Sequence, residues 1–551
     1  MSATSDLPQV APPSDRRAGT PDSATGSTPD SATGSTPGTS TGTSTGTSTA
    51  GRRRWWALGA LCLSVLMVGI DNTIVNVALP TIGRELAAST SDLQWVVDGY
   101  TLVFATLLLL AGHLGDRFGR RRVLLIGLVV FALTSVAASY ATGVGSLIAG
   151  RAAMGAGAAL IFPATLALLV ALFPDRKERA AAIGIWSGIT GLSVALGPVA
   201  GGLLVEHFSW SAVFLVNVPM AAIALLAIRF LVTESRDPHP GRFDPVGAFG
   251  SMVGIGLLVW TIIEAPINGW GSAVTIAGLT GSILALGVFV GWEIRRTDPL
   301  FDVTLFANAR FSAASGAIAA AFFGLFGFIF LITQYFQIVR GYGVLEAGVA
   351  TLPFALVTGA LSPVAIVLMK RFGTTAVVAS GLALMSAGFV LAAGSQVDSA
   401  YWGRIVISMC LMAAGLALTS GPATEAIMGA LPPSRAGAGS AVNDTTREVG
   451  GTLGVAIVGS VMNSIYGARI VDALSGTAVP PDAVTAASRS VIGGFQVAAT
   501  VPPAETASVL TATSQAFIDG LSGGSWVAAG ATGVAAVAVL LFLPARHRDA
   551  L

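Results

Sequence analysis

Fourteen apolar stretches constrain this chain more than anything else in it. They lie near 55–79, 92–112, 121–141, 145–172, 180–204, 210–233, 245–264, 273–294, 311–337, 346–369, 374–394, 402–430, 437–464 and 524–544. A helix of about 20 residues, rising ~1.5 Å per residue, crosses a hydrocarbon layer ~30 Å thick. In that layer each backbone N–H and C=O needs a partner within the chain, which runs of this length find only as helices. The expected fold is therefore all-α and polytopic, with 14 transmembrane helices. Only 11% of the residues are charged, against about 25% in soluble domains. The net charge of +1 suggests no nucleic-acid partner.

Residues 1–54 read differently. They are rich in Ser, Thr, Gly and Pro and nearly free of apolar side chains, so they are expected to form a disordered tail. The apolar region starts after Arg52-Arg53-Arg54 and continues as a full span, unlike a cleaved signal. With the tail inside, 23 Lys and Arg residues fall in inner segments, five in outer segments and two, Arg151 and Arg447, within spans. Cytoplasmic loops carry the excess of positive charge, so both termini are expected in the cytoplasm.

One stretch occurs nearly twice. "PATLALLVALFPDR" at 163–176 and "PATEAIMGALPPSR" at 422–435 match at eight of fourteen positions. Arg117-Phe118-Gly119 is echoed by Arg371-Phe372-Gly373 at the same eight-span offset. Spans 1–6 and 9–14 then read as two six-helix repeats, with two helices inserted between them. The expected domains are the tail 1–54, a six-helix bundle 55–233, the inserted pair with its flanking loops 234–310, a second bundle 311–544 and a tail 545–551. The second bundle carries a long outer loop at about 465–523. Repeats of this kind build transporters that hold substrate at the repeat interface.

Charges inside spans are costly, roughly 2.5–3.5 kcal/mol each on insertion scales, and mark paths or partners. Asp71, Asp98 and Arg151 all fall in the outer half, so Arg151 is expected to balance Asp71, Asp98 or both. Glu425, Asp444, Arg447 and Glu448 fall in the inner half. Arg447 and Glu448 follow Asp444 at i+3 and i+4, on one helix face, and Glu425 is placed to meet Asp444 or Arg447. Glu425 stands where the first copy has Leu166, so the repeat itself requires no charge there. A carboxylate sheltered from water can load and release a proton near neutral pH. A structural ion pair for Asp71–Arg151 and a snorkelling role for Glu425 are the plainer readings.

"GITGLSVALGPVAGG" at 188–202 combines small residues with Pro198. Gly197, Gly201 and Gly202 allow close helix contact, and Pro198 bends the helix. The four histidines lack metal-ligand spacing, and Cys62 and Cys410 lie far apart in apolar runs. Neither a metal nor a disulfide is expected.

These segments together resemble the major facilitator superfamily, in its fourteen-helix drug:proton antiporter branch, over nearly all of 55–544. "DNTIVNVALP" (71–80) is similar to that branch's first-span motif. "GHLGDRFGRRR" (112–122) resembles the inner-loop motif of the superfamily. "LIAGRAAMGAGAA" (147–159) and "GLSVALGPVAGG" (191–202) resemble the motifs of spans 4 and 5. The resemblance implies proton coupling by Asp71 and Arg151; Asp98, which lies at the same depth, is grouped with them as a further candidate. It implies an inner gate at Gly112, Gly115, Asp116, Arg117, Gly119, Arg120 and Arg121, in which Gly115 permits a turn. The branch's usual "WRW" after span 5 is Trp210-Ser211-Ala212 here, and Asp444 replaces a more usual asparagine.

The expected function is proton-coupled export of a drug, antibiotic or secondary metabolite, with alternating access and no cofactor beyond the proton gradient. The expected setting is a monomer in a bacterial cytoplasmic membrane, with a hydrophobic small-molecule substrate. Glu425, Asp444, Arg447 and Glu448 are candidates for coupling or cation binding. An importer of the same fold is the alternative, and a membrane enzyme a remote one, since no metal motif, histidine pair or nucleotide loop occurs.

Overall fold

The computed structural model describes residues 46–236, 244–297, 299, 302–430, 436–477 and 479–543. The first six helices are α1 (Gly46–Glu85), α2 (Thr90–Phe118), α3 (Arg120–Ser139), α4 (Val144–Leu172), α5 (Arg176–His207) and α6 (Ala212–Leu231). Then come α7 (Pro245–Asn268) and α8 (Ala273–Arg295). A short 3-10 turn, Val303–Ala307, leads into α9 (Ala309–Val339), α10 (Val344–Phe372), α11 (Thr374–Ala393), α12 (Tyr401–Gly429) and α13 (Ala436–Leu474). Two short helices, α14 (Pro481–Arg489) and α15 (Val491–Thr500), precede α16 (Pro503–Phe542).

Among the described residues, twelve helices are long and apolar enough to cross a bilayer, thirteen when the bent α2 counts as one span. The expected span at 180–204 coincides with α5, a helix of 32 residues with several side chains outside the described set. The all-α polytopic architecture is as the sequence predicts. Helix starts follow local chemistry. Ser89 and Asp92 form a reciprocal cap on α2, with the Ser89 amide donating to Asp92 Oδ2 at 2.9 Å and the Asp92 amide donating to Ser89 Oγ at 3.2 Å. The echoed Arg-Phe-Gly triplets end α2 and α10. Each glycine there, Gly119 at φ +109° and Gly373 at φ +89°, takes a backbone turn that side chains disfavour.

Two boundaries differ from expectation. Of the tail expected at 1–54, residues 1–45 lie outside the described set, while 46–54 are already helical within α1. No proline interrupts that stretch, and extending an existing helix is far cheaper than nucleating one. The outer loop expected at 465–523 is largely helical: α13 runs on to Leu474, α14 and α15 follow, and α16 starts at Pro503. The expected tail 545–551 lies outside the described residues.

One hydrophobic core runs through α1–α6 and α9–α16. A smaller one joins α7 (Val259, Ile262, Ile263) to Ala456 of α13, with Trp95 and Leu102 of α2 packed on it. Helix α8 leans on α7 and leaves Ile283, Leu284 and Val288 at 66%, 64% and 73% exposure. An aqueous surface would not tolerate such a face, whereas lipid suits it.

Candidate functional site

Asp71 of α1 and Arg151 of α4 are fully buried and meet each other. Arg151 Nη1 donates to Asp71 Oδ2 at 2.6 Å. Taking two charges out of water costs several kcal/mol per ion, which only good geometry and further hydrogen bonds offset. Both are present. Asn217 Nδ2 donates to Asp71 Oδ1 at 2.8 Å and to Ser135 Oγ at 3.1 Å. Arg151 Nε donates to the Val96 carbonyl at 3.1 Å, and its guanidinium stacks 4.2 Å from the Tyr100 ring centre. Five helices, α1, α2, α3, α4 and α6, thus converge on one ion pair.

Asn217, Ser135 and Tyr100 escaped the sequence reading. A signal for Asn217 was there, an amide alone in "FLVNVP". Pro219 lacks an N–H and crowds the carbonyl four residues back. The helix breaks at Val216, and Asn217 restarts it facing the pair.

Asp98 does not share Arg151. Helix α2 turns Val96 and Tyr100 toward Arg151, and Asp98, two residues from either, falls about 200° round the axis. It sits instead on the face that meets α13. On that face Gln94 Nε2 donates to the Val455 and Ala456 carbonyls at 3.2 and 3.1 Å, and Thr452 Oγ1 donates to Thr101 Oγ1 at 3.0 Å. Asp98 lies buried between these bonds, and neither carboxylate oxygen has a hydrogen-bond partner among the described residues.

The α2–α3 junction gathers the basic motif. Asp116 pairs with Arg120 at 2.8 Å. The Arg120 amide donates to the Ser235 carbonyl at 2.8 Å, the Arg121 amide to Glu234 Oε1 at 3.0 Å, and the Arg121 side chain to the Arg229 carbonyl. Arg117 stacks on its neighbour Phe118. The turn falls at Gly119, not at Gly115, which lies inside α2; a Cβ on Gly119 would come 2.7 Å from the Glu234 carboxyl carbon. A Cβ on Gly112 would lie 3.9 Å from the Pro163 side chain of α4.

The α5 glycines are contact points. A Cβ on Gly197 would strike the Thr73 hydroxyl of α1, and one on Gly201 would lie 2.9 Å from the Ile74 carbonyl. Gly202 faces α10, where the added atom would sit 2.7 Å from Leu345 Cα. Pro198 presents its carbonyl to Gly348. Glu206 accepts from the Leu345 amide at 3.2 Å, and Gln337 of α9 donates to the Val77 carbonyl at 2.7 Å. Where the branch carries arginine, Ser211 bonds Ser209, and Trp210 donates to Glu85 at 2.9 Å.

In α13, Arg447 lies 3.8 Å from Asp444 and 4.5 Å from the Phe322 ring centre. Glu448 Oε2 is shielded with no hydrogen-bond partner among the described residues. Glu425 does not join this cluster. It is exposed on α12, and its neighbour Thr424 makes the link instead, donating to Asn443 Oδ1 at 3.1 Å. Depth alone does not set the contact: one residue of rotation about α12 brings Thr424 rather than Glu425 against α13. In the first copy the matching threonine, Thr165, accepts from Trp186 of α5 at 3.2 Å. Among the described residues no group of three or more His, Cys, Asp or Glu has the arrangement of a metal site.

A buried ion pair inside a many-helix apolar bundle, with small-residue contacts across the bundle, is the architecture of a membrane transporter. The profile of the Major Facilitator Superfamily matches residues 61–455, and the chain belongs to that family. It is a multi-pass cell-membrane transporter rather than an enzyme. It is 36% identical over 477 residues to the multidrug efflux pump LfrA of Mycolicibacterium smegmatis, covering 87% of this chain and 94% of that protein. It is 35% identical over 497 residues to the tetracenomycin C resistance and export protein of Streptomyces glaucescens, covering 89% and 91%. Among solved structures, an inward-facing bacterial homologue of the human lysosomal transporter Spinster matches with a TM-score of 0.64 at 18% identity, covering 90% of this chain and 98% of that one. That likeness speaks to the fold.

Proposed function

We propose that this transporter exports a hydrophobic drug, antibiotic or secondary metabolite in exchange for protons, working as a monomer by alternating access. The observation that carries the reading is the Asp71–Arg151 pair, a sheltered acid whose charge is balanced by one arginine and whose second oxygen accepts from one amide. Loading a proton on Asp71 would release Arg151 and loosen five helices at once. Asp98 is a second candidate proton carrier, set apart from the first at the α2–α13 seam. Asp444, Arg447 and Glu448 are candidates for coupling or for holding a cationic substrate. Glu425, exposed on α12, is a weaker one. Drive comes from the proton gradient, ~2.3 kcal/mol per charge per 100 mV, with no cofactor.

In this reading residues 55–233 and 311–544 are two six-helix repeats, joined by 234–310, and both termini are cytoplasmic. The paired Arg-Phe-Gly turns and the paired threonine bonds, Thr165 with α5 and Thr424 with α13, accord with it. The contacts from α5 to α10 and from α1 to α9 then lie at the outer end, as in an inward-open state, and Asp116 pairs with Arg120 of its own lobe. Export by LfrA and by the tetracenomycin C protein supports the direction. The test is transport in everted membrane vesicles. A proton gradient should drive uptake of a fluorescent lipophilic cation by the parent and not by Asp71→Asn. Gradient-driven movement in the opposite sense would mean an importer.

A further inference from the structure

Pro266 lies inside α7 and has no N–H to offer the carbonyl four residues earlier, that of Ile262. That carbonyl is buried, and an unsatisfied one is costly. Its donor comes from another helix: Ser460 Oγ of α13, fully buried, donates to it at 2.8 Å. The next carbonyl, of Ile263, accepts from Ser91 Oγ of α2 at 3.4 Å. Ser460 Oγ in turn accepts from Gln94 Nε2 of α2 at 3.4 Å. One turn along α13, Ser464 accepts from the Trp270 indole just past α7 at 3.0 Å. The second hydrophobic core fills the same contact. At its other end α7 is tied to α8, through Asp244 and the Trp292 indole at 2.8 Å.

From this we infer that the inserted helix α7 is a clasp across the α2–α13 seam, and that Pro266 and Ser460 are its positioning residues. The inference rests on the alternating-access reading. Helices α2 and α13 belong to opposite lobes and must part at this end when the cycle turns. The clasp touches both, and its key bond exists because proline frees a carbonyl inside a helix. Loss of the Ser460 hydroxyl strands the Ile262 carbonyl. Restoring an N–H at position 266 satisfies it again without any donor from α13.

Spin labels at Arg84, near the end of α1, and at Asp398, between α11 and α12, report the seam from either side. The full chain carries them with Cys62 and Cys410 replaced by alanine, and the distance distribution is read in liposomes by electron paramagnetic resonance. Ser460→Ala should raise the long-distance population about fivefold, the shift that one lost hydrogen bond of ordinary net strength gives. In a Pro266→Ala background, where the Ile262 carbonyl has an N–H within α7 and needs no donor from α13, the same Ser460→Ala change should shift the population far less than fivefold, a non-additivity that mere loss of packing would not produce. An unchanged distribution in Ser460→Ala, or an equal shift with and without Pro266→Ala, overturns the inference. If Ser460→Ala does not fold, Ser91→Ala is read in its place: the same direction of shift supports the clasp, and no shift overturns it. Failure of proton-driven transport in the parent would remove the exporter reading and leave these distances as they are.

Discussion

At the scale of residues, Asp71 is the centre of the buried network. Its carboxylate has two partners, and they divide the work. Arg151 balances the charge, while Asn217 satisfies the second oxygen and ties α6 to the pair. Asp71→Asn is expected to abolish efflux at normal expression, measured as drug susceptibility against membrane protein yield. Asn217→Ala removes one hydrogen bond to a buried anion and should destabilise the protein by about 1–3 kcal/mol, read from thermal unfolding in detergent. Unchanged stability there would mean that Asn217 is not part of the network. The pairing of Asp71 with Arg151 was one of the options open from sequence, because both residues lie at one depth. Depth alone does not pair Asp98 with Arg151, since it says nothing about which side of α2 a residue faces. Depth likewise does not decide whether Glu425 or its neighbour Thr424 meets α13.

At the scale of elements, glycine contacts and caps set how helices meet. Gly197→Val would force α5 away from the Thr73 hydroxyl and the Ile70 carbonyl of α1, a strain of about 1–3 kcal/mol. The variant should insert and yet fail to confer resistance; full resistance would show that α5 has room to spare. Asp244 caps α7 and is buried. Burial opposes its ionisation, but the Gly247 amide, the Trp292 indole, Arg296 and the Val246 amide outweigh that and hold the carboxyl below its ordinary range. A carboxyl held low stabilises the fold at pH values above its unfolded value of ~3.9 and loses that contribution as pH falls through the folded value. Asp244→Asn should therefore cost about 1 kcal/mol at neutral pH, and the gap should close as unfolding is measured below the ordinary carboxylate range. A gap that persists into acid would assign the cost to shape rather than charge. Helix positions were legible because a 20-residue apolar run admits one solution in lipid. The helices between α13 and α16 were not, because their segments fall short of a spanning length and the Pro-Pro pairs between them read as loop.

At the scale of the whole molecule, α2 meets α13 and α5 meets α10, and in the proposed reading these are the seams between two lobes, with Asp71 inside the first. The repeat was visible in fourteen aligned residues; the clasp from α7 was not, because it depends on carbonyls that carry no letter of their own. The central claim is that protonation of the Asp71 site is exchanged for cargo. It is tested most directly with purified protein in liposomes loaded with a pH-reporting dye. Adding a lipophilic cation on the binding side should release protons from the parent protein, and Asp71→Asn should release none at the same cation binding. Equal proton release by the two proteins would contradict the account.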